Sequence, residues 1–203
     1  MNRAAVLVLL LSTGCVSHPE RPAPRASVAV APPTLAEQAA AQEAATRPGR
    51  EHKALDVLVG AWTASNVAVD ERGNESDAVP GRAAIGWTLG GRYLRIDASL
   101  DLPGGASHLS SGFLGYDRVT QEYQWLMVSD LSTGMGVARG RGDVSRGGVR
   151  FVLDIVEPRT GTIARATSVL RAPSPDHLVL EIVGPDAAGL ERVLRRTHYR
   201  RAG

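Results

Sequence analysis

The sequence is short of cysteine, lysine and aromatic residues, and each shortage excludes something. Cys15 is the only cysteine in 203 residues, so no intramolecular disulfide can staple the chain and no Cys-x-x-Cys redox or haem-attachment motif exists. Lys53 is the only lysine among 23 basic residues. With 21 acidic residues the net charge is +2, so the sequence pI of about 9.0 reflects a choice of arginine and not a basic patch. Basic residues clustered with aromatics on one face, the footprint of nucleic-acid binding, are missing. Aromatics make up 4% of the chain, and all of them follow residue 61, which assigns the core to roughly its last three-quarters. No apolar run approaches the ~20 residues needed to cross a bilayer as a helix.

What is present at the start has the pattern of a leader. Arg3, the apolar run 4–11 and the small residues Ser12-Thr13-Gly14 lead directly to Cys15. This resembles a bacterial lipoprotein signal peptide spanning residues 1–14, cut ahead of a lipid-modified cysteine. The resemblance implies acylation of Cys15 and a membrane partner held through an N-terminal lipid anchor. Val16 in place of an aspartate resembles the state that favours an outer membrane, so the implied address is a cell-envelope lipoprotein facing the periplasm. Residues 15–50 read as a disordered linker: 16–33 are rich in Pro, Ala, Ser and Arg, with no periodicity. Extended, that stretch reaches ~60 Å. A Thr34-x-x-Glu37 capping box predicts a short helix over 35–46, stopped by Arg47-Pro48-Gly49.

The folded domain is expected over 51–203. Leu55, Leu58 and Val59 have the spacing of a short amphipathic helix that covers one end of the domain. From Trp62 the pattern changes to alternation, with strands predicted near 62–69, 83–89, 92–100, 107–116, 122–129, 134–141, 149–156, 162–170, 177–183 and 190–199. Pro80, Pro103, Pro158, Pro173, Pro175 and Pro185 are expected between strands, because proline removes a ladder hydrogen bond. Gly90-Gly91, Pro103-Gly104-Gly105 and Gly147-Gly148 supply turn chemistry, and the connections are too short for crossover helices. The expected fold is therefore all-β: a single up-and-down antiparallel barrel of about ten strands, whose closure removes exposed edges. A two-sheet sandwich is the alternative.

Gly60-Ala61-Trp62 after a short helix resembles the opening of lipocalins and other calycins, barrels that generally hold a small hydrophobic ligand. In those, an arginine of the last strand packs over the tryptophan; Arg200, or else Arg196, is suitably placed here. The order His52-Lys53-x-Leu55, Gly60-x-Trp62, Leu89-Gly90-Gly91-Arg92-Tyr93-Leu94, Gly115-Tyr116-Asp117, Tyr123, Trp125 and Tyr199-Arg200 resembles the bacterial domain-of-unknown-function family 1579, over about 51–201. That family has no settled activity.

A search for chemistry finds little. There is no Gly-x-Ser-x-Gly elbow and no paired histidine motif for a metal, and Gly140-Arg141-Gly142 lacks the helix a dinucleotide loop requires. No catalytic residue and no cofactor is assigned, although a constellation assembled from distant strands would escape such a search. The leading expectation is a barrel that binds a small apolar or amphipathic ligand without catalysis. The candidate lining residues are Trp87, Arg95, Asp97, Tyr123, Trp125 and His198, with Gly60, Trp62 and Arg200 as structural residues. Strand parity fixes which residues share a face, not which face is inside. The alternatives are an interaction lipoprotein with a filled barrel, and a haem- or gas-binding barrel ligating through His198, as in haem-carrying ten-stranded relatives of the calycins.

Overall fold

The computed structural model describes residues 32–156, 161, 163–185 and 189–203. Residues 1–31, where a leader, the acylated Cys15 and a tether are expected, and Pro158 lie outside the described residues. Helix α1 (Leu35–Thr46) forms where the capping box and the Ala/Gln/Glu run predict it, and it buries no residue. Its C-terminal end is held by the Arg118 guanidinium, which donates to the carbonyls of Ala44 and Arg47. Helix α2 (Arg50–Lys53) runs into a 3-10 helix (Ala54–Leu58), whose Leu55 and Leu58 are 1% exposed.

Ten antiparallel strands follow: β1 (Gly60–Ala68), β2 (Val79–Thr88), β3 (Tyr93–Asp101), β4 (Ser107–Asp117), β5 (Glu122–Ser129), β6 (Ser132–Asp143), β7 (Gly148–Val156), β8 (Ile163–Ser174), β9 (His177–Pro185) and β10 (Glu191–Arg201). Each pairs with the next, and β10 closes on β1 with Trp62 opposite Arg201, giving a closed barrel. The sandwich alternative falls with that pairing. Closure satisfies every strand's ladder on both sides and leaves no edge to protect. The prolines depart from expectation: Pro80 sits second in β2, Pro173 within β8 beside a register shift, and Pro185 last in β9. All three lie at strand ends or irregularities, where a missing N–H is tolerated.

Register settles which face is inside. Trp62 opposes Ala83, Ala83 opposes Ala98, and Ala98 opposes Ser110, so these positions share one face. The same face carries Leu94, Leu114, Trp125, Ala138 and Leu153 across β3 to β7. Leu94, Leu114, Ala138 and Phe151 are fully buried, which makes this the interior. One end of the interior is packed solid: Trp62, Leu55, Leu58, Phe151 and Leu178 interlock where the 3-10 helix lies across the barrel.

That closed end is fastened by a few specific bonds. Trp62 Nε1 donates to the Leu58 carbonyl at 2.9 Å, which fixes the 3-10 helix to β1. The Arg201 guanidinium lies 4.4 Å from the Trp62 ring centroid and donates to the Val59 carbonyl at 2.8 Å. Gly60 has φ +142°, and a Cβ there would meet Arg201 Nη1 at 2.5 Å, so glycine both adopts the backbone and clears the guanidinium. The arginine over the tryptophan is Arg201, correcting the expectation of Arg200 or Arg196. Arg200 is exposed opposite Thr63 on the other face, and one residue of parity separates the two.

Candidate functional site

The other end of the barrel is hollow. The same inward positions that carry bulky side chains at the closed end carry small ones here: Trp62 gives way to Ala64 along β1, Leu94 to Ala98 along β3, and Leu114 to Ser110 along β4. A cavity of about 550 Å³ results, within the range of small-molecule sites. Met127, Leu153 and Leu180 supply apolar wall, while Asn66, Thr197 and Tyr199 add polar groups on β1 and β10. Asn66 Nδ2 donates to Thr197 Oγ1 at 2.8 Å, so that pair is largely self-satisfied. Burial pushes the Tyr199 phenol up to about 12, which keeps it a neutral hydrogen-bond donor at any ordinary pH.

Two β-bulges shape the mouth. Register shifts between Met127 and Ser129 on β5, and between Val193 and Arg195 on β10. The second places Arg195 opposite the inward Ile182, so its cation borders the cavity. Arg195 has no ion-pair partner among the described residues. The only carboxylate at the β5–β6 tip, Asp130, is already engaged: it accepts from His108 Nδ1 at 2.5 Å and from the Leu109 amide at 3.0 Å. The Leu109 amide first, and His108 second, hold its carboxyl below the usual range.

The residues singled out from sequence divide in two. Trp87, Tyr123 and Trp125 face inward but belong to the packed end: Trp87 Nε1 donates to Asp56 at 2.8 Å, and Tyr123 Oη donates to the Glu51 carbonyl. The buried Nε1 of Trp125 has no partner among the described residues. Arg95, Asp97 and His198 face outward, which corrects their assignment to the lining. Arg95 opposes Phe113 and pairs with Asp97 at 2.9 Å on the solvent face. His198 stacks on His177 and approaches Glu75 at 3.6 Å outside the barrel wall. Haem ligation inside the barrel through His198 is therefore geometrically closed. Glu181 and Arg196 complete an outer network there, with Arg196 Nε donating to Glu181 at 2.9 Å. No group of three metal-ligating side chains is found among the described residues.

Sequence reading missed Asn66, Arg195, Thr197, Tyr199 and His108. For Arg195 no local signal exists, since the bulge that turns it inward leaves no mark a parity count can see. The filled-barrel alternative describes the closed half and fails for the open half.

Comparison with known proteins supports the architecture. Over 77% of this chain and 100% of the other, the barrel superimposes on the crystal structure of Rv2717c from M. tuberculosis, with a TM-score of 0.55 and 12% identity. It is also similar to the S-type phycobiliprotein lyase CPES from Guillardia theta, with a TM-score of 0.46 and 12% identity over 77% of this chain and 99% of that one. No curated protein matches the sequence. The family model "Protein of unknown function (DUF1579)" matches residues 47–201, which run from the turn before α2 to the last residue of β10, and the chain belongs to that family.

Proposed function

We propose that the protein is a small-molecule binding barrel whose ligand is apolar or amphipathic and is held, not chemically altered, in the open half. The observation that carries this reading is the cavity of about 550 Å³ above a solid floor. A barrel of this size needs no hollow for stability, since side chains fill the other half completely. Arg195 at the rim favours a ligand with an anionic head, and the Met127, Leu153 and Leu180 wall favours an acyl or similar chain below it. The leader and Cys15 support a lipid-anchored envelope protein, so the ligand would be met at a membrane.

The test is displacement of a fluorescent fatty-acid probe, dansylaminoundecanoate, by dodecanoate and by dodecanol. Saturable probe binding, with dodecanoate the stronger competitor and its advantage lost in Arg195→Gln, is expected. Failure of the probe and both competitors to bind would remove the chamber reading. Equal competition by acid and alcohol would remove only the role of Arg195. For the anchor, the mass of the mature N-terminus should carry acyl chains on Cys15, and Cys15→Ser should give a chain with no acyl chains and the leader uncut.

A further inference from the structure

The outer wall is not uniform. Across β7–β10 it carries ion pairs, including Arg150–Glu191 at 2.9 Å, Arg165–Asp154 at 3.3 Å and Arg196–Glu181 at 2.9 Å, between which Val152 and Ile163 are exposed singly. Across β4–β6 the outward positions change character along the barrel axis. In the closed-end half they are Asp117, Glu122, Arg139 and Arg141, with Arg141 paired to Glu122 at 3.2 Å. In the open-end half they are Leu109, Phe113, Leu126, Val128, Met135 and Val137 with Ser111, and none is charged. Register makes the apolar residues contiguous: Phe113 opposes Leu126, which opposes Val137. They are also open to solvent, Leu109 at 56%, Val137 at 52% and Met135 at 70%, with Leu131 at the β5–β6 tip at 72%. Ser111 lies between Leu109 and Phe113 and donates to Asp97 at 2.7 Å at the β3 margin of the patch, but no charge lies within it, and an exposed apolar patch of this kind marks an interaction site.

We propose that this half of the β4–β6 wall docks onto a lipid bilayer, with Leu131 and Met135 entering the head-group region and the mouth of the cavity brought to the membrane. Three observations select a bilayer over a protein. The patch runs into the mouth, since Val128 and Met135 border both. Strands β4, β5 and β6 are paired on both sides, so no partner strand can add to them. The wall is convex, and two convex barrels meet along a strip that falls short of the ~800 Å² per partner of a stable interface, whereas a fluid interface conforms. The docking stands on the surface itself; its use in exchanging a ligand with the bilayer rests on the chamber reading above.

The experiment uses the full chain with Cys15→Ala, which removes the acyl anchor and the only native thiol. An environment-sensitive nitrobenzoxadiazole label is placed at Leu131→Cys or, as a control, at Arg141→Cys in the closed-end half of β6. Vesicles of phosphatidylethanolamine with a minority of phosphatidylglycerol are added. A blue shift and several-fold brightening at 131, absent at 141 and abolished by Val137→Glu, is the expected result. No change at 131, or the same change at both positions, would overturn the proposal. Brightening without vesicles that grows with protein concentration would overturn it in favour of a second copy. Probe displacement in solution, measured on the Cys15→Ala chain with Val137 intact, separates the two readings: displacement without brightening at 131 leaves the chamber standing and removes the docking, and brightening at 131 without displacement leaves the docking standing and removes the chamber.

Discussion

The two halves of this barrel share one wall and one alternation pattern, yet one is solid and the other hollow. At the closed end the inward positions are Trp62, Leu94, Leu114 and Phe151, at or below 1% exposure, and Leu55 and Leu58 of the 3-10 helix fill the remaining space. At the open end small inward residues, Ala64, Ala98, Ser110, Ser129 and Gly136, stand among the larger Met127, Leu153, Leu180 and Tyr199, and together they surround about 550 Å³. The lesson is that side-chain size along the strand axis, and not the fold, decides where this ten-stranded barrel is a core and where it is a container. Stability is concentrated where the large residues meet, and binding is proposed where they stop.

The comparison breaks most severely if the floor is removed. Trp62→Ala deletes the largest fully buried side chain, its bond to the Leu58 carbonyl and the ring beneath Arg201. It should destabilise the barrel by about 3–5 kcal/mol in urea unfolding. Gly60→Ala comes next, by about 1–3 kcal/mol, because φ +142° is strained for alanine and the new methyl group meets Arg201 Nη1. Combining it with Arg201→Ala should give less than the sum of the single losses, since the clash is then gone; strict additivity would show that the contact is not the cause.

The open half should respond in the opposite way. Ala98→Phe places a ring in the hollow, where the closed half has no room for one, and should weaken probe binding at least tenfold, about 1.4 kcal/mol, with little change in unfolding midpoint. A large loss of stability instead would mean that the cavity is already close-packed.

The smallest effect is on pH. Burial, as the largest cause, holds His52 below its ordinary value, where it accepts from the Gly49 amide at 3.1 Å and meets Tyr116 edge-on. A histidine with a lowered folded-state pKa is neutral in the native protein, so the unfolded chain takes up the proton first. Stability should therefore fall as pH drops below about 6.5, until the folded pKa is passed, and be unaffected by this group above it. His177, lowered chiefly by burial and then by Arg200 and His198, acts in the same sense. His52→Gln should flatten the slope between pH 7 and pH 5; an unchanged slope would assign it elsewhere.

Much of this was legible in the chain. Alternation and turn chemistry predicted ten strands and closure because both are local properties, and the helix over 35–46 followed from its capping box. The interior was legible only where one face is wholly apolar, as at Leu178, Leu180 and Ile182. In β3 the apolar set Leu94, Ile96, Ala98 and Leu100 is the interior, so the attractive Arg95–Asp97 pair belongs to solvent. In β10 alternation counted from the outward Val193 would put His198 inside; the bulge at Leu194 reverses the count, turning Arg195 in and leaving His198 and Arg200 out. The gradient from large to small inward residues was present in the sequence but unreadable until register had aligned the strands.

The most direct test of a hollow open half is amide chemical-shift mapping during a dodecanoate titration of the full chain. Shifts confined to Ala64, Ala98, Gly136, Leu180 and Arg195, with Leu94, Leu114 and Phe151 unmoved, are the predicted result. Saturable shifts confined to the outer-wall positions, or none at any inward position, would contradict it.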